Sequence, residues 1–509
     1  MNIILEERLC EEAMEELAEA GAEVTVDAAL AQAAAADAVI LSGKVALNDA
    51  IYAEDAAVRV LGCLGPENAN FDRARATRAG IMVLEPRYSE AASVADDALY
   101  LMLSMARERE DGVAIELKDK TVGFLGFPPL AAEIAKRAQG FGMNLLCYDQ
   151  DLNRGRAVLY HCESTSLVDL FVRSDFVVLL AAPAEWNAAL VGKDEIQLMK
   201  KGAGLICLTD PQIFRWEELV RALDWGYLEY FAIDLPRSQE ALAKDVAAYG
   251  YVTVAEAANT REARIAGQVE LARDVVAALG GAQVDTATNI ARVHTTNLKE
   301  GSRWCALGRL LGVFMGQRLE TLPEVLELEE AGALPVTENE AIVASVLAGF
   351  AEGLGERKIN IVNSRLWAAD KGLAVLLKQN ASALKAQLRL SVETPTCHLQ
   401  VAGDRTGDED NIVQVDDYFL QGHPHEHILL VPHVNRPGVI GQVGTLMGEK
   451  DVNIAEMVLG YKQQDRTTAL MWIQVESPLA RSISEESRKL ASVLSMEYIH
   501  LPMQNNHLD

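Results

Sequence analysis

Basic residues are scarce in this 509-residue chain: 46 Lys and Arg stand against 74 Asp and Glu, a net charge of −28. A surface that acidic repels phosphate backbones and anionic lipid, which sets aside nucleic acid and membranes as partners. Paired cysteines are missing too. The seven cysteines (Cys10, Cys63, Cys147, Cys162, Cys207, Cys305 and Cys397) are scattered and form no CxxC. That excludes a disulfide framework and a cysteine-based zinc site, and it points to a reducing compartment. No uninterrupted apolar run approaches the length of a bilayer span. The opening MNIILEERLCEEAMEEL lacks the basic start and apolar core of a signal peptide, so a cytoplasmic location is expected. Histidine is nearly absent from the first part of the chain, where His161 is the only one before His294.

What is present is a globular chain. Half of its residues are apolar, and its length exceeds what one core organises, so three or four domains are expected. MNIIL, EVTV, DAVILSG, VRVLGCLG and GIMVLEP read as short strands between helical runs. KTVGFLG opens a second series, with LLCYD, SDFVVLLAA, GAGLICLTD and YFAIDLP. Alternating strands and helices imply parallel sheets covered on both faces. Beyond about residue 300 the pattern changes. WCALGRLLGVFMGQ and AIVASVLAGFAEGLG read as long apolar helices, followed by strands of a mixed unit. The final stretch from HILLVPHV to YIHLP alternates as βαββαβ, with SISEESRKLASVLS as its second helix, a small ferredoxin-like module.

The run TVGFLGFPPLAAEIAKRAQGFGMNLLCYDQ (121–150) has the outline of a dinucleotide fingerprint. In a working GxGxxG the second glycine lets backbone approach the pyrophosphate and the third lets helix pack on strand. Here Gly126 is kept, but Phe127, Pro128, Pro129, Leu130 and Ala131 follow. Neither proline has an N–H for a phosphate, although proline suits the first turn of a helix. Asp149 stands where an acid would accept from an adenosine ribose; a strand-end turn residue is the equal alternative.

With AADKGLAV, NIVQVDDYFLQGHP and VNRPGVIGQVGTLMGEKDVNIAEM, the chain resembles the long form of the D-3-phosphoglycerate dehydrogenases, in the D-2-hydroxyacid dehydrogenase family. The resemblance runs through nearly the whole chain. It implies a flavodoxin-like substrate domain (1–98 and 277–300), a doubly wound Rossmann domain (99–276), an intervening α+β domain (301–422) and a ferredoxin-like ACT domain (425–509). It also implies NAD as cofactor and 3-phosphoglycerate as substrate. The segment between MARERE and DGVAIELKDK is shorter than the family pattern.

The family's hydride transfer uses an arginine to clamp the substrate carboxylate, a histidine to move the hydroxyl proton, and a carboxylate to orient that histidine. The arginine position, after GLICLT, holds Asp210. At ~4 Å and an effective dielectric near 20, each charge unit is worth on the order of 4 kcal/mol, so attraction becomes repulsion. The histidine position holds Ala255, which moves no proton. The acid partner falls near Gln239 or Glu240, after the retained Asp234. In LGCLGPENANFD, Asn70 and Asp72 are kept, but Cys63 and Leu41 replace family arginines. Lys44 and Arg87 are candidate substitute cations and Glu256 a candidate substitute base. The catalytic set is therefore expected to be lost, Gly126, Asp149 and Asp234 to be the remnants of the cofactor site, and NAD retention to be doubtful.

The C-terminal pattern is complete. His433, Asn435, Gly438 and Asn453 match residues that hold serine between two ACT domains in inhibited family members. Two amides and an imidazole suit a zwitterion with a hydroxyl; Pro437 is expected to start the helix, and Gly438 to give a carboxylate close backbone access at its N-terminus. Turn chemistry is the alternative reading of Asn435 to Gly438. The resemblance implies L-serine or a similar amino acid as ligand and a homo-oligomer, with mixed assembly with an active paralogue as a further expectation. GHPHEH places His423, His425 and His427 on alternate residues, one face of a strand. No cysteine or further carboxylate cluster accompanies them and Pro424 reads as a linker, so no metal is expected. The sequence reading is a serine-binding regulatory homologue; its rival is an active NAD-dependent dehydrogenase with an altered site.

Overall fold

The computed structural model describes residues 1–502 except 28, 44–45, 65–70, 87–88, 109–111, 150–153, 182–188, 229, 236–243, 245–246, 248–250, 255–259, 283, 285, 292–297, 333, 335–339, 381–382, 394–397, 408, 479–489 and 491. It divides into two compact units.

The first unit holds a seven-stranded sheet and all but part of the last strand of a five-stranded one. Strands β1 (Asn2–Leu5), β2 (Glu23–Val26), β3 (Ala38–Leu41), β4 (Val60–Cys63) and β5 (Met82–Leu84) form a sheet in the order β2-β1-β3-β4-β5. This is the flavodoxin-type order. Strands β3 to β5 are buried throughout, as apolar runs covered on both faces must be.

The second sheet contains β6 (Thr121–Leu125), β7 (Asn144–Tyr148), β8 (Glu163–Ser164), β9 (Phe176–Leu179), β10 (Gly204–Cys207), β11 (Tyr230–Leu235) and β12 (Tyr251–Val254). Its order, β12-β11-β10-β9-β6-β7-β8, runs outward both ways from the β9–β6 pair. That reversal leaves a crevice at the carboxyl ends of β6 and β9, where ligands of doubly wound sheets bind. The helix Pro129–Gly140 buries Ala131, Ala132, Ile134, Ala135 and Ala138. Its small residues share one core with Ala95, Leu99, Met102 and Met105 of the helix Ala91–Arg107 and with Phe124 and Val122 of β6.

The second unit is built on one ten-stranded sheet, ordered β14-β13-β15-β16-β17-β18-β20-β21-β19-β22. Its strands are β13 (Val325–Ala331), β14 (Ala374–Asn380), β15 (Gln387–Glu393), β16 (His398–Thr406), β17 (Glu409–Val415), β18 (Tyr418–Gly422), β19 (His427–Val434), β20 (Ile454–Lys462), β21 (Thr468–Val475) and β22 (Glu497–His500). The helices Leu298–Gln317 and Glu340–Gly353 and the inward faces of β13, β15, β16 and β17 supply one core. The helix Val439–Glu449 covers β19 and β21 in another. The last four strands, β20-β21-β19-β22, have the ferredoxin-like order. The expected second helix of that module, SISEESRKLASVLS, falls largely outside the described residues. Two pairs, Tyr418↔Lys462 and Phe419↔Tyr461, join β18 to β20, so the two C-terminal modules share a sheet instead of lying apart across a linker.

In β13 the inward positions alternate as Leu326, Leu328 and then Glu330, a carboxyl 6% exposed whose Oε1 lacks a hydrogen-bond partner. Burial pushes this carboxyl up to about 7, against 4.5 for an ordinary glutamate, and Gln379 opposes the shift only in part. The folded state holds a proton that the unfolded chain releases. Relative stability is therefore greatest below about 4.5 and falls as pH rises through about 7, by on the order of 3 kcal/mol. Urea titrations across that range should show Glu330→Gln gaining on the parent as pH rises. A constant difference between the two would refute the assignment.

Candidate functional site

Gly126 ends β6 at the switch point with φ of 87°, a left-handed conformation open to glycine. Its N–H donates to Tyr148 O at 2.8 Å, and a Cβ would stand 2.5 Å from Ala181 Cα, just after β9. The first fingerprint glycine thus does the structural work expected of it, turning the chain where two strands diverge.

The next residues diverge from a phosphate cradle. Phe127 is buried and packs edge-on against Phe124, with ring centroids 5.9 Å apart. Its backbone N–H donates to Asp149 Oδ2 at 2.8 Å. Pro128 is the helix N-cap, extended at φ −67° and ψ 174°, and Pro129 is the first helical residue. The Ala131 N–H turns back to Pro128 O at 2.9 Å. Of the five amide positions from 127 to 131, one is committed to a carboxylate, two are prolines, one is spent in the helix, and Leu130 remains. A helix N-terminus binds anions through several convergent amides; here Phe127 and Ala131 spend theirs within the protein, and Pro128 and Pro129 have none. Asp149 has one oxygen engaged in holding that turn, the strand-end role that the sequence left open.

Other carboxylates line the same edge of the sheet. Asp210 follows β10, and its Oδ1 accepts from the Gln212 N–H at 2.8 Å, capping a short 3-10 turn. Its neighbour Thr209 donates through Oγ1 to Ala181 O at 2.8 Å, fixing this loop beside the switch point. Asp234 is the penultimate residue of β11, opposite Thr253. Asp149, Asp210 and Asp234 therefore lie at or near the carboxyl ends of β7, β10 and β11. Leu41 and Cys63 end β3 and β4 as buried residues, and Asp72 caps the helix Arg73–Arg78 through the Arg75 N–H at 3.0 Å. Gln239, Glu240, Ala255, Glu256, Asn70, Lys44 and Arg87 lie outside the described residues.

His161 stands away from this crevice. It lines a cavity of about 550 Å³ with Thr121, Asn144, Glu163 and Arg173. Thr121 and Asn144 are the first residues of β6 and β7, so this cavity opens at the amino ends of the strands, opposite the ligand edge.

In the C-terminal module His433 is buried in β19, its Nδ1 donating to Val431 O at 3.1 Å. Asn435 donates through Nδ2 to Arg466 O at 3.0 Å. Gly438, at φ 90°, is the N-cap of the helix Val439–Glu449, so the helix starts one residue after it; the expectation that Pro437 begins the helix is corrected. The left-handed turn at Gly438 is the reason, because it separates Pro437 from the helical backbone. Asn453 is exposed, and its carbonyl accepts from the Glu476 N–H at 3.3 Å. His433 lies opposite Ala469, near the start of β21, whereas the Asn453 segment meets the other end at Val475. At about 3.4 Å per residue these ends are roughly 20 Å apart, so one chain alone does not bring His433 and Asn435 to Asn453.

Comparison with known proteins agrees with this architecture. Residues 94–254 match the model for the NAD binding domain of D-isomer specific 2-hydroxyacid dehydrogenase, which sets the class. Residues 302–416 match the D-3-phosphoglycerate dehydrogenase intervening domain. The D-3-phosphoglycerate dehydrogenase of Archaeoglobus fulgidus is 25% identical, over 98% of this chain and 100% of its own. That of Synechocystis is 26% identical over 90% and 86%. A solved cofactor(NAD+) bound 3-phosphoglycerate dehydrogenase from Entamoeba histolytica has a TM-score of 0.46 at 20% identity, over 57% of this chain and 98% of that one. The chain belongs to the D-3-phosphoglycerate dehydrogenase family.

No helix among the described residues is long and apolar enough to cross a membrane. The engagement of Asp149 by Phe127 escaped the sequence reading. Its one signal was the large apolar residue directly after Gly126, a side chain that belongs in a core.

Proposed function

We propose that this family member has lost hydride transfer and serves as a regulatory homologue. In this reading it binds L-serine or a similar amino acid between two copies of its C-terminal module, as a homo-oligomer or mixed with an active paralogue. The carrying observation is the loop after β6. Phe127 gives its amide to Asp149, Pro128 and Pro129 offer none, and the donor set does not fit a pyrophosphate. Asp210, in place of a cation, supports the loss of the substrate clamp. The separation of His433 and Asn435 from Asn453 in one chain supports a site shared by two copies, which a closed two-fold pairing provides.

The test is a pair of titrations on the purified chain. NADH should give no binding signal at millimolar concentration and no oxidation with phosphohydroxypyruvate. L-serine should raise the melting temperature, and Asn435→Ala or Asn453→Ala should remove the rise. Robust NADH oxidation overturns the loss of activity; absence of any serine effect overturns the regulatory role. The rival reading, an active NAD-dependent D-3-phosphoglycerate dehydrogenase, is favoured by the match to the NAD-binding domain model and by the retained Gly126 and Asp149, and it requires measurable NADH affinity.

A further inference from the structure

The GHPHEH run does not form the strand face its spacing suggests. β19 begins at His427, with His423 and His425 before it, because the Pro424 segment leads into the sheet. A different partner meets His427 instead. β19 and β22 run antiparallel with His427 directly opposite His500, so both imidazoles stand on one face of the sheet. Their ring centroids are 5.3 Å apart, with planes inclined by 25°. Glu426 closes the group, its Oε1 3.7 Å from His427 Nε2. One donor atom from each of the three side chains lies within 4.8 Å of the others.

We propose that Glu426, His427 and His500 form a binding site for a divalent transition-metal ion of the zinc class. Two imidazole nitrogens and one carboxylate oxygen are the donor set of an open zinc site, with a fourth position left for water. Magnesium and calcium prefer all-oxygen shells and are poor matches. Tetrahedral ligands at about 2.0–2.1 Å from the ion are about 3.3 Å apart, so the cluster must contract slightly. Glu426 and His500 are exposed and free to rotate inward, while buried His427 is the fixed member.

The supporting contacts are those a metal ligand needs. The Tyr498 hydroxyl is 2.7 Å from His427 Nδ1, which orients the ring and leaves Nε2 on the Glu426 side. Tyr498 lies two residues before His500 on the same strand, so one edge strand supplies both a ligand and the orienting group. Gln317 pins the His500 backbone from both sides, accepting from its N–H at 3.0 Å and donating to its carbonyl at 2.6 Å. A bound ion would fasten β22, at the edge of the sheet, to β19 at the entry of the C-terminal module. The site shares no residue with the cofactor loop or with His433, Asn435, Gly438 and Asn453.

The experiment uses the full chain, stripped with a chelator and titrated with zinc chloride by calorimetry, with cobalt(II) as a spectroscopic stand-in. The expected result is one ion per chain at low micromolar affinity or tighter, and a cobalt spectrum typical of tetrahedral coordination. His500→Ala and Glu426→Gln, both at exposed positions, should each weaken binding about tenfold or more. His398→Ala, at an exposed histidine of β16, should leave it unchanged. Absence of stoichiometric binding overturns the proposal. So does binding that survives both ligand substitutions, or that His398→Ala weakens as much as His500→Ala.

Discussion

Gly349→Ala should destabilise the chain by roughly 3–5 kcal/mol, although alanine is the better helix former by about 1 kcal/mol. The opposite signs of these two effects make the result decisive. A Cβ at Gly349 would lie 2.0 Å from Arg309 O and 2.8 Å from Arg309 C, both backbone atoms that no side-chain rotation moves aside. The facing helix is equally bare: a Cβ at Gly312 would come 2.2 Å from Val346 O, and one at Gly316 2.4 Å from Phe350 O. The helices Leu298–Gln317 and Glu340–Gly353 therefore pack backbone to backbone over the β13–β17 platform. A methyl group forces them apart and opens contacts along the Leu311, Phe314, Val346 and Phe350 core. Urea unfolding reads the change directly. A loss below about 1 kcal/mol would mean that the helices separate cheaply.

The second large effect is expected at Arg318. Its side chain is 5% exposed, with Nη1 and Nη2 on the two oxygens of Asp416 at 3.0 and 2.8 Å and Nε on Glu497 Oε2 at 2.8 Å. This guanidinium joins the residue after the Leu298–Gln317 helix, the turn between β17 and β18, and the start of β22. Arg318→Met keeps much of the volume but leaves two carboxylates facing each other without a cation. Breaking a fully buried pair in this way costs about 3–5 kcal/mol, and the partial exposure of Asp416 and Glu497 (29% and 39%) brings the expected loss to about 2–3 kcal/mol. Adding Glu497→Gln should recover part of that loss by removing one of the two charges. Chemical denaturation of the single and double variants checks both statements. A double variant less stable than the single one would contradict the electrostatic account. Because Glu497 begins the strand that carries His500, the same variants should also loosen zinc binding.

The fold was legible wherever local chemistry decides structure. Apolar runs such as AVIL and FVVL, separated by helical segments, became parallel strands because their backbones and side chains are both satisfied in a covered sheet. The long apolar helices after residue 300 were equally plain. VLELEEA and AVLLKQN, which form β13 and β14, were passed over. Their buried positions are interrupted by Glu330 and by exposed leucines, so the burial that makes them strands comes from partners elsewhere in the chain.

The loop after Gly126 separates the two kinds of information. Proline lacks an amide hydrogen in any fold, so the sequence by itself determined that Pro128 and Pro129 offer no donor to a phosphate. The family resemblance adds the expectation that Asp210 stands where a carboxylate clamp would carry a cation. Only the tertiary structure decided that Asp149 accepts from Phe127, because that contact exists only once β6 and β7 pair. The same holds for His427, Glu426 and His500, where antiparallel register places the last strand's imidazole opposite the first's, and for the separation of Asn453 from His433 along β21. Bond chemistry belongs to the residue and travels with the sequence. Proximity between distant residues belongs to strand order and register, which the chain acquires only on folding.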